Sequence, residues 1–344
     1  MVNEMTQEIF DIVIPLYHVR WNTRSVLEGL TAQYKPRKIH VIAPAPQAES
    51  LAEMAQGWDI APLYTHKEEI FFETVGLTKD RICEEIDLGQ SLYTPGWFYQ
   101  QLLKLGAFEG IEDLSEWYMV WDSDLLPVAA WDAIARQDNT VKHSFALLQD
   151  NNYGNPDIVG KWEVWINAIL GVDALTDPEG TFIPHHIWFK QEHLKSYARQ
   201  VNKYFESAEH WLLLMMRSAN EFGTFSEYWS YVSWVNKYAP EDLSFYPYSS
   251  YGKTTERFFD DGTALFSAAL KDYLRLEQNS ELVPSYREII AFIKDAYGED
   301  PLPSSLSFES SPRHLKKNPE NMHIEELRSR WNPRNIGESD LDAA

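Results

Sequence analysis

Apolar and polar positions follow two rhythms along the chain, and their order predicts its architecture. Near the N-terminus FDIVIPLY and KIHVIAPAP are short β-type runs, the second stopped by prolines, with a polar helical stretch around RSVLEGLTAQ between them. This is a β-α-β opening, hence a parallel strand pair with a right-handed crossover. Ligands of such sheets sit beyond the C-terminal strand ends, so PLYHVR and APAPQ should line a pocket mouth, with Pro15 and Tyr17 as candidates. Neither strand is followed by G-x-G-x-x-G or G-x-x-x-x-G-K, which disfavours a dinucleotide site and a P-loop.

Residues 94–108 (TPGWFYQQLLKLGAF) predict a helix: Thr94 as N-cap, Pro95 in the first turn, and an apolar stripe of Phe98, Leu102 and Leu105. The aromatic run WYMVW predicts a strand ending in DSD. A helix is expected at VAAWDAIARQ, a strand at SFALLQ and a loop at NNYGNPDIVGKW. TFIPHHIWFK reads as a strand leading into the helix QEHLKSYARQVNKYF, followed by an aromatic helical pair (WLLLMMRSANEF and SEYWSYVSWVNKY) and helical sequence over 265–298. The segment beyond about 300 reads as peripheral and partly disordered, and no internal repeat is present.

A length of 344 residues with 44% hydrophobic content supports a substantial core. The formal charge of −22 argues against nucleic acid as a partner. The single cysteine, Cys83, excludes an intramolecular disulfide and a cysteine-based zinc cluster. With no signal-peptide pattern and no apolar stretch approaching the ~20 residues of a membrane span, the expectation is a cytoplasmic protein without a transmembrane segment, or one peripheral to a membrane through its acceptor. The 13 Trp, 18 Tyr and 17 Phe provide core filling first and sugar-stacking surfaces second.

The candidate chemistry lies in YMVWDSDLLPV. In an extended chain Asp122 and Asp124 point the same way, Ser123 the other, and adjacent carboxylates repel unless a cation sits between them. A hard divalent ion, Mg²⁺ or Mn²⁺, is one compensation. The alternative is that both aspartates cap a turn and helix over 125–130.

WYMVWDSD resembles the acidic strand end of GT-A-fold glycosyltransferases. GWFYQQLLKL, FIPHHIWFKQEHL and FGTFSEYWSYV are similar to a group of bacterial and viral GT-A proteins patterned G-W-x-x-Q-Q-x-x-K-L, acidic strand end, His/Pro aromatic strand and F-S-E-Y. The similarity covers about residues 10–240. It implies an α/β fold, GT-A-like (Rossmann-like), with a mixed, mostly parallel sheet flanked by helices and a helical C-terminal extension. The implied organisation is a catalytic domain over 1–245, a helical portion packed on it over 246–300, and a peripheral acidic tail over 301–344. The implied activity is metal-dependent transfer of a sugar from a UDP- or GDP-type nucleotide-diphosphate sugar to a hydroxyl of a glycan acceptor.

On that resemblance Asp122 and Asp124 hold Mn²⁺ or Mg²⁺, and Ser123 joins the nucleotide-sugar side. Gln100, Gln101 and Lys104 bind diphosphate or sugar hydroxyls, against the alternative of a solvated helix face. Lys79 and Arg81 either steer the nucleotide or form surface ion pairs. Glu227 is the candidate base near the acceptor, while Thr224 and Glu227 also form T-x-x-E, a capping box by spacing. His186 and Trp188 alternate away from His185 and are candidates for a sugar hydroxyl bond and a stacking face, with Tyr228 beside the acceptor. A sugar-phosphate nucleotidyltransferase and a non-catalytic carbohydrate-binding protein are the competing readings.

Overall fold

The computed structural model describes residues 10–87, 94–129, 134–137, 140–146, 156–175, 185–246, 255–258, 260–277, 279–298 and 301–309. Strands and helices alternate at first: β1 (Asp11–Pro15), α1 (Thr23–Tyr34), β2 (Lys38–Ala43), α2 (Ala45–Met54) and β3 (Leu63–Lys67). Helices α3 (Lys79–Cys83), α4 (Pro95–Leu105) and α5 (Ala107–Gly110) precede β4 (Trp117–Trp121). Then come β5 (Leu125–Pro127), β6 (Ile134–Gln137), β7 (Thr140–Ala146) and α6 (Pro156–Trp165), which runs into a π-helical turn at Ile166–Leu170. Strand β8 (His186–Lys190) leads to α7 (Gln191–Tyr204), α8 (Trp211–Phe222), α9 (Glu227–Tyr238) and β9 (Ser244–Tyr246). The last elements are β10 (Thr255–Phe258), α10 (Asp260–Tyr273), α11 (Tyr286–Tyr297) and β11 (Ser305–Phe308).

The main sheet has the order β3-β2-β1-β4-β8; its first four strands are parallel and β8 is antiparallel to β4. The predicted β-α-β opening is therefore present, and the mixed, mostly parallel, helix-flanked sheet is the one expected of a GT-A-like fold. Two smaller sheets, β10-β11-β5 and β6-β7-β9, complete the topology.

Period-two alternation divides the strands' side chains between two cores. Val13, Ile42, Tyr118, Val120, Ile187 and Phe189 face α4, α8 and α9. Ile12, Ile14, Val41, Met119, Trp121 and Trp188 face α1, α10 and α11. On α4 the Thr94 hydroxyl accepts from Trp97 N at 3.2 Å, and Phe98, Leu102 and Leu105 are all fully buried, so the predicted cap and stripe hold.

Several local expectations give way to tertiary contacts. The C-terminal half of VAAWDAIARQ is a strand, Ile134–Gln137, paired with β7, and its residues 130–133 lie outside the described ones. The loop expected to run through NNYGNPDIVGKW gives way to α6 from Pro156. Leu125–Pro127 forms β5 in place of a turn and helix, because β11 pairs with it. The segment expected to be a peripheral tail begins instead with β11, whose four residues are all buried between β10 and β5, while residues 310–344 lie outside the described ones.

Candidate active site

Strand β4 carries its chain to the edge of the main sheet where β1 and β2 also end. There Asp122 N donates to the His185 carbonyl (2.8 Å) and Leu125 N donates back to the Asp122 carbonyl (3.1 Å). The D-S-D segment is thus a tight turn, and the extended geometry expected of it does not form. His185, in the left-handed region at φ 58°, immediately precedes β8. Its ring lies beside the turn, with Nδ1 3.2 Å from Asp122 Oδ2.

The charge balance at Asp122 comes from within the protein. Lys104, projecting from α4, is only 3% exposed, and its Nζ lies 2.7 Å from Asp122 Oδ1 and 2.7 Å from Glu227 Oε1. The Tyr228 hydroxyl donates to the same Asp122 Oδ1 at 2.9 Å, and Lys104 Nζ also lies 3.0 Å from that hydroxyl. Burial alone would push the Lys104 ammonium down. The Asp122 and Glu227 carboxylates outweigh it and hold the group well above the usual lysine range. Burial likewise opposes ionisation of Asp122, but Lys104 and then His185 keep its carboxyl below the usual range. Lys104 is thus neither on a solvated helix face nor open to a diphosphate.

Asp124 has the opposite environment. Burial first, then the carboxylates of Glu309 and Asp122, push it up to about 7 against the pull of His185 and Arg20. Glu309 reaches this place because Phe308 N donates to the Asp124 carbonyl at 2.9 Å, registering the end of β11 on the turn. Its carboxylate comes within 3.8 Å of His185 Nε2. The Arg20 guanidinium donates to the Phe308 carbonyl at 3.4 Å.

Arg20 also lines a cavity of about 470 Å³ beyond the ends of β1 and β2. Trp21, Gln47, Ser50, Lys271, Ser280 and Glu281 are among its other lining residues, so it has an aromatic face, hydroxyls, an amide, two cationic side chains and one carboxylate. That volume suits a nucleoside-sized ligand.

Among the described residues no group of three or more His, Cys, Asp or Glu is arranged to hold a metal ion. Two carboxylates flanking a turn nevertheless suit a hard ion that takes one or two protein oxygens and completes its shell with phosphate and water. In that donor set Asp124 is the open member.

The remaining nominated residues fall into distinct places. Pro15 ends β1 in the core, and Tyr17 beside it is 68% exposed with its ring 4.2 Å from that of His18. Ser123 lines a small apolar hollow against Leu16 and Thr23. Gln101 is buried and its Oε1 accepts from Glu227 N at 3.1 Å, whereas Gln100 is half-buried on α4. Lys79 pairs with Glu68, and Arg81 with Glu85, which gives the surface ion-pair alternative.

Glu227 does not close a capping box, because Ser226 caps α9 through Trp229 N and the Thr224 hydroxyl accepts from Trp162 Nε1. Its carboxylate is buried against Lys104, a poor place from which to reach an acceptor hydroxyl. Trp188 is 1% exposed against Phe10, and His186 packs on Trp121 at 4.7 Å, so neither presents a sugar-binding face. The strand begins one residue later than a His185 start would require, and His185 is the histidine at the turn. His185, Arg20 and Glu309 are the site residues missed by sequence reasoning; only the HH pair and PLYHVR gave a signal for the first two.

No protein-family model matches the chain, and no curated protein does. Among solved structures, mouse xyloside xylosyltransferase 1 in its apo form is 9% identical over 80% of this chain and 96% of that one, with a TM-score of 0.42. The glycosyltransferase GlyE of Streptococcus pneumoniae TIGR4 is 10% identical over 95% of this chain and 64% of that one, with a TM-score of 0.40. PaToxG glycosyltransferase follows at 8% identity over 67% and 68%, with a TM-score of 0.31. Likeness at this level assigns neither activity nor substrate.

Proposed function

We propose that the protein is a metal-dependent glycosyltransferase that moves a sugar from a UDP- or GDP-type nucleotide-diphosphate sugar to a hydroxyl of a glycan or polysaccharide acceptor. The observation that carries this reading is one juxtaposition: the acidic turn at the end of β4 stands beside a nucleoside-sized cavity at the ends of β1 and β2, and Arg20 belongs to both. A parallel sheet gathers its ligands at that edge.

In this reading the nucleoside enters the cavity against Trp21, and Arg20 and Lys271 meet the negative charge of the diphosphate. Mn²⁺ or Mg²⁺, held by Asp124 with Asp122 behind it, would act as a Lewis acid stabilising the departing diphosphate. Arg20 would orient the donor, while the Asp122 anchor keeps the turn from shifting as charge develops.

Calorimetry with UDP and with GDP, each with Mn²⁺ and with EDTA, tests the proposal. Metal-dependent heat with at least one nucleotide is expected. Identical heats in Mn²⁺ and EDTA, or none with either nucleotide, would sink it.

A further inference from the structure

The two aspartates of the turn are not equivalent, and the difference is built by α4. Asp122 Oδ1 already accepts from an ammonium and a phenol, and Oδ2 has the His185 ring at 3.2 Å. Lys104 is 3% exposed and also bridges to Glu227, whose backbone N–H is held by Gln101. These groups come from three separate elements: α4, the start of α9 and the residue before β8. A cation approaching Oδ1 would have to displace a buried ammonium that Glu227 also holds. Like charges at that distance repel strongly in a desolvated site.

We infer that Lys104 is a resident cation which holds Asp122 as a positioning residue, so that a divalent ion at this turn is ligated by Asp124 and not by Asp122. The inference rests on the metal-dependent reading for the ion and on geometry alone for the anchor. Asp122 then fixes the turn: its backbone N–H ties β4 to His185, and its carboxylate ties the turn to α4 and α9. Asp124, two residues on, is carried at a set distance from the sheet edge. Ser123 between them has no charge with which to compete.

This arrangement makes a prediction that a merely structural ion pair would not. Removing the Lys104 ammonium leaves two carboxylates facing an emptied place, so Lys104→Met should gain affinity for Mn²⁺ even without nucleotide. The gain should require Asp122.

Mn²⁺ binding is measured by electron paramagnetic resonance on the full chain, without nucleotide and with UDP or GDP, alongside thermal melts with and without Mn²⁺. In Asp122→Asn, where Lys104 keeps Glu227 as partner, Mn²⁺ affinity in the presence of nucleotide is expected within about threefold of wild type although the melting temperature falls; in Asp124→Asn it is expected to drop by at least about tenfold. Lys104→Met is expected to melt below wild type and to recover with Mn²⁺, and adding Asp122→Asn should abolish that recovery.

Should Lys104→Met fail to fold, the Asp122→Asn and Asp124→Asn pair still decides. Loss of Mn²⁺ binding in folded Asp122→Asn overturns the assignment, as does equal Mn²⁺ stabilisation of wild type and Lys104→Met. If wild type binds no Mn²⁺ with any nucleotide, the metal-dependent reading fails. The anchor is then judged by the Mn²⁺ rescue of Lys104→Met alone: rescue supports it and no rescue overturns it.

Discussion

The Lys104 ammonium and the Glu227 carboxylate meet at 2.7 Å in the interior, between the last turn of α4 and the first turn of α9. With Asp122 on the other side of the ammonium, the three form a charge cluster in which each member depends on the others. Breaking one side of a buried ion pair strands a charge, which costs more than the pair itself contributes.

Glu227→Gln is accordingly expected to destabilise the protein by about 1–3 kcal/mol in urea unfolding, less than loss of the ammonium, because Lys104 retains Asp122. Lys104→Met should cost about 3–5 kcal/mol by the same measurement. Equal destabilisation by the two variants would show that the cluster does not centre on the lysine.

A second expectation concerns pH. His66 lies with Nε2 3.0 Å from His40 Nδ1, and burial, then the charge of His40, push it down to about 4. The folded form therefore keeps the ring neutral where the unfolded chain, near 6.5, begins to take up a proton. The stability this gives is intact above pH 6.5 and is lost as pH falls from 6.5 toward 4, a change of about 2 kcal/mol after allowing for partial exposure. His66→Gln should flatten that part of the curve of unfolding free energy against pH, as followed by tryptophan fluorescence.

Arg20 is half-buried, and its guanidinium donates to the Phe308 carbonyl. Arg20→Ala is predicted to lower stability by less than about 1 kcal/mol while weakening UDP or GDP binding by about tenfold or more. Calorimetry on the folded variant separates these. Unchanged nucleotide affinity would remove Arg20 from the donor site.

Phe308 is 1% exposed and stacks on Phe258 at 5.4 Å, with Trp21 and Phe266 at its edges. Phe308→Ala should cost about 3–5 kcal/mol by opening a cavity in this second core. Because its backbone also registers β11 on Asp124, Mn²⁺ affinity should fall in the same variant. A stability loss with full Mn²⁺ affinity would separate the strand from the site.

The sequence made the local elements legible and the cluster much less so. Runs such as DIVIP and KIHVIA, and the Thr94-Pro95 start of α4, declare themselves through period and capping, which are short-range properties. Lys104 was visible as a residue of interest, but its burial was not: a lysine four residues after Gln100 reads as solvated until α9 is seen to cover it. Glu309 was hidden altogether, since SLSFE carries too weak an alternation to declare β11, and its partners β10 and β5 are remote in sequence. The alternative of a turn and helix over 125–130 gives way for the same reason, because a three-residue strand exists only through its neighbour.

The bond from Phe308 N to the Asp124 carbonyl also sets an order of events. During synthesis the N-terminal strands can pair and bury their first core while the rest of the chain is still being made. The acidic turn would then exist for most of that time without Glu309 beside it and without the bond from Phe308 N, the residue whose carbonyl Arg20 grips. A nascent chain ending before β11 would have both aspartates and the Lys104 anchor on Asp122, yet not the Glu309 carboxylate that bears on Asp124. The surroundings of Asp124 are therefore complete only once β11 has been made.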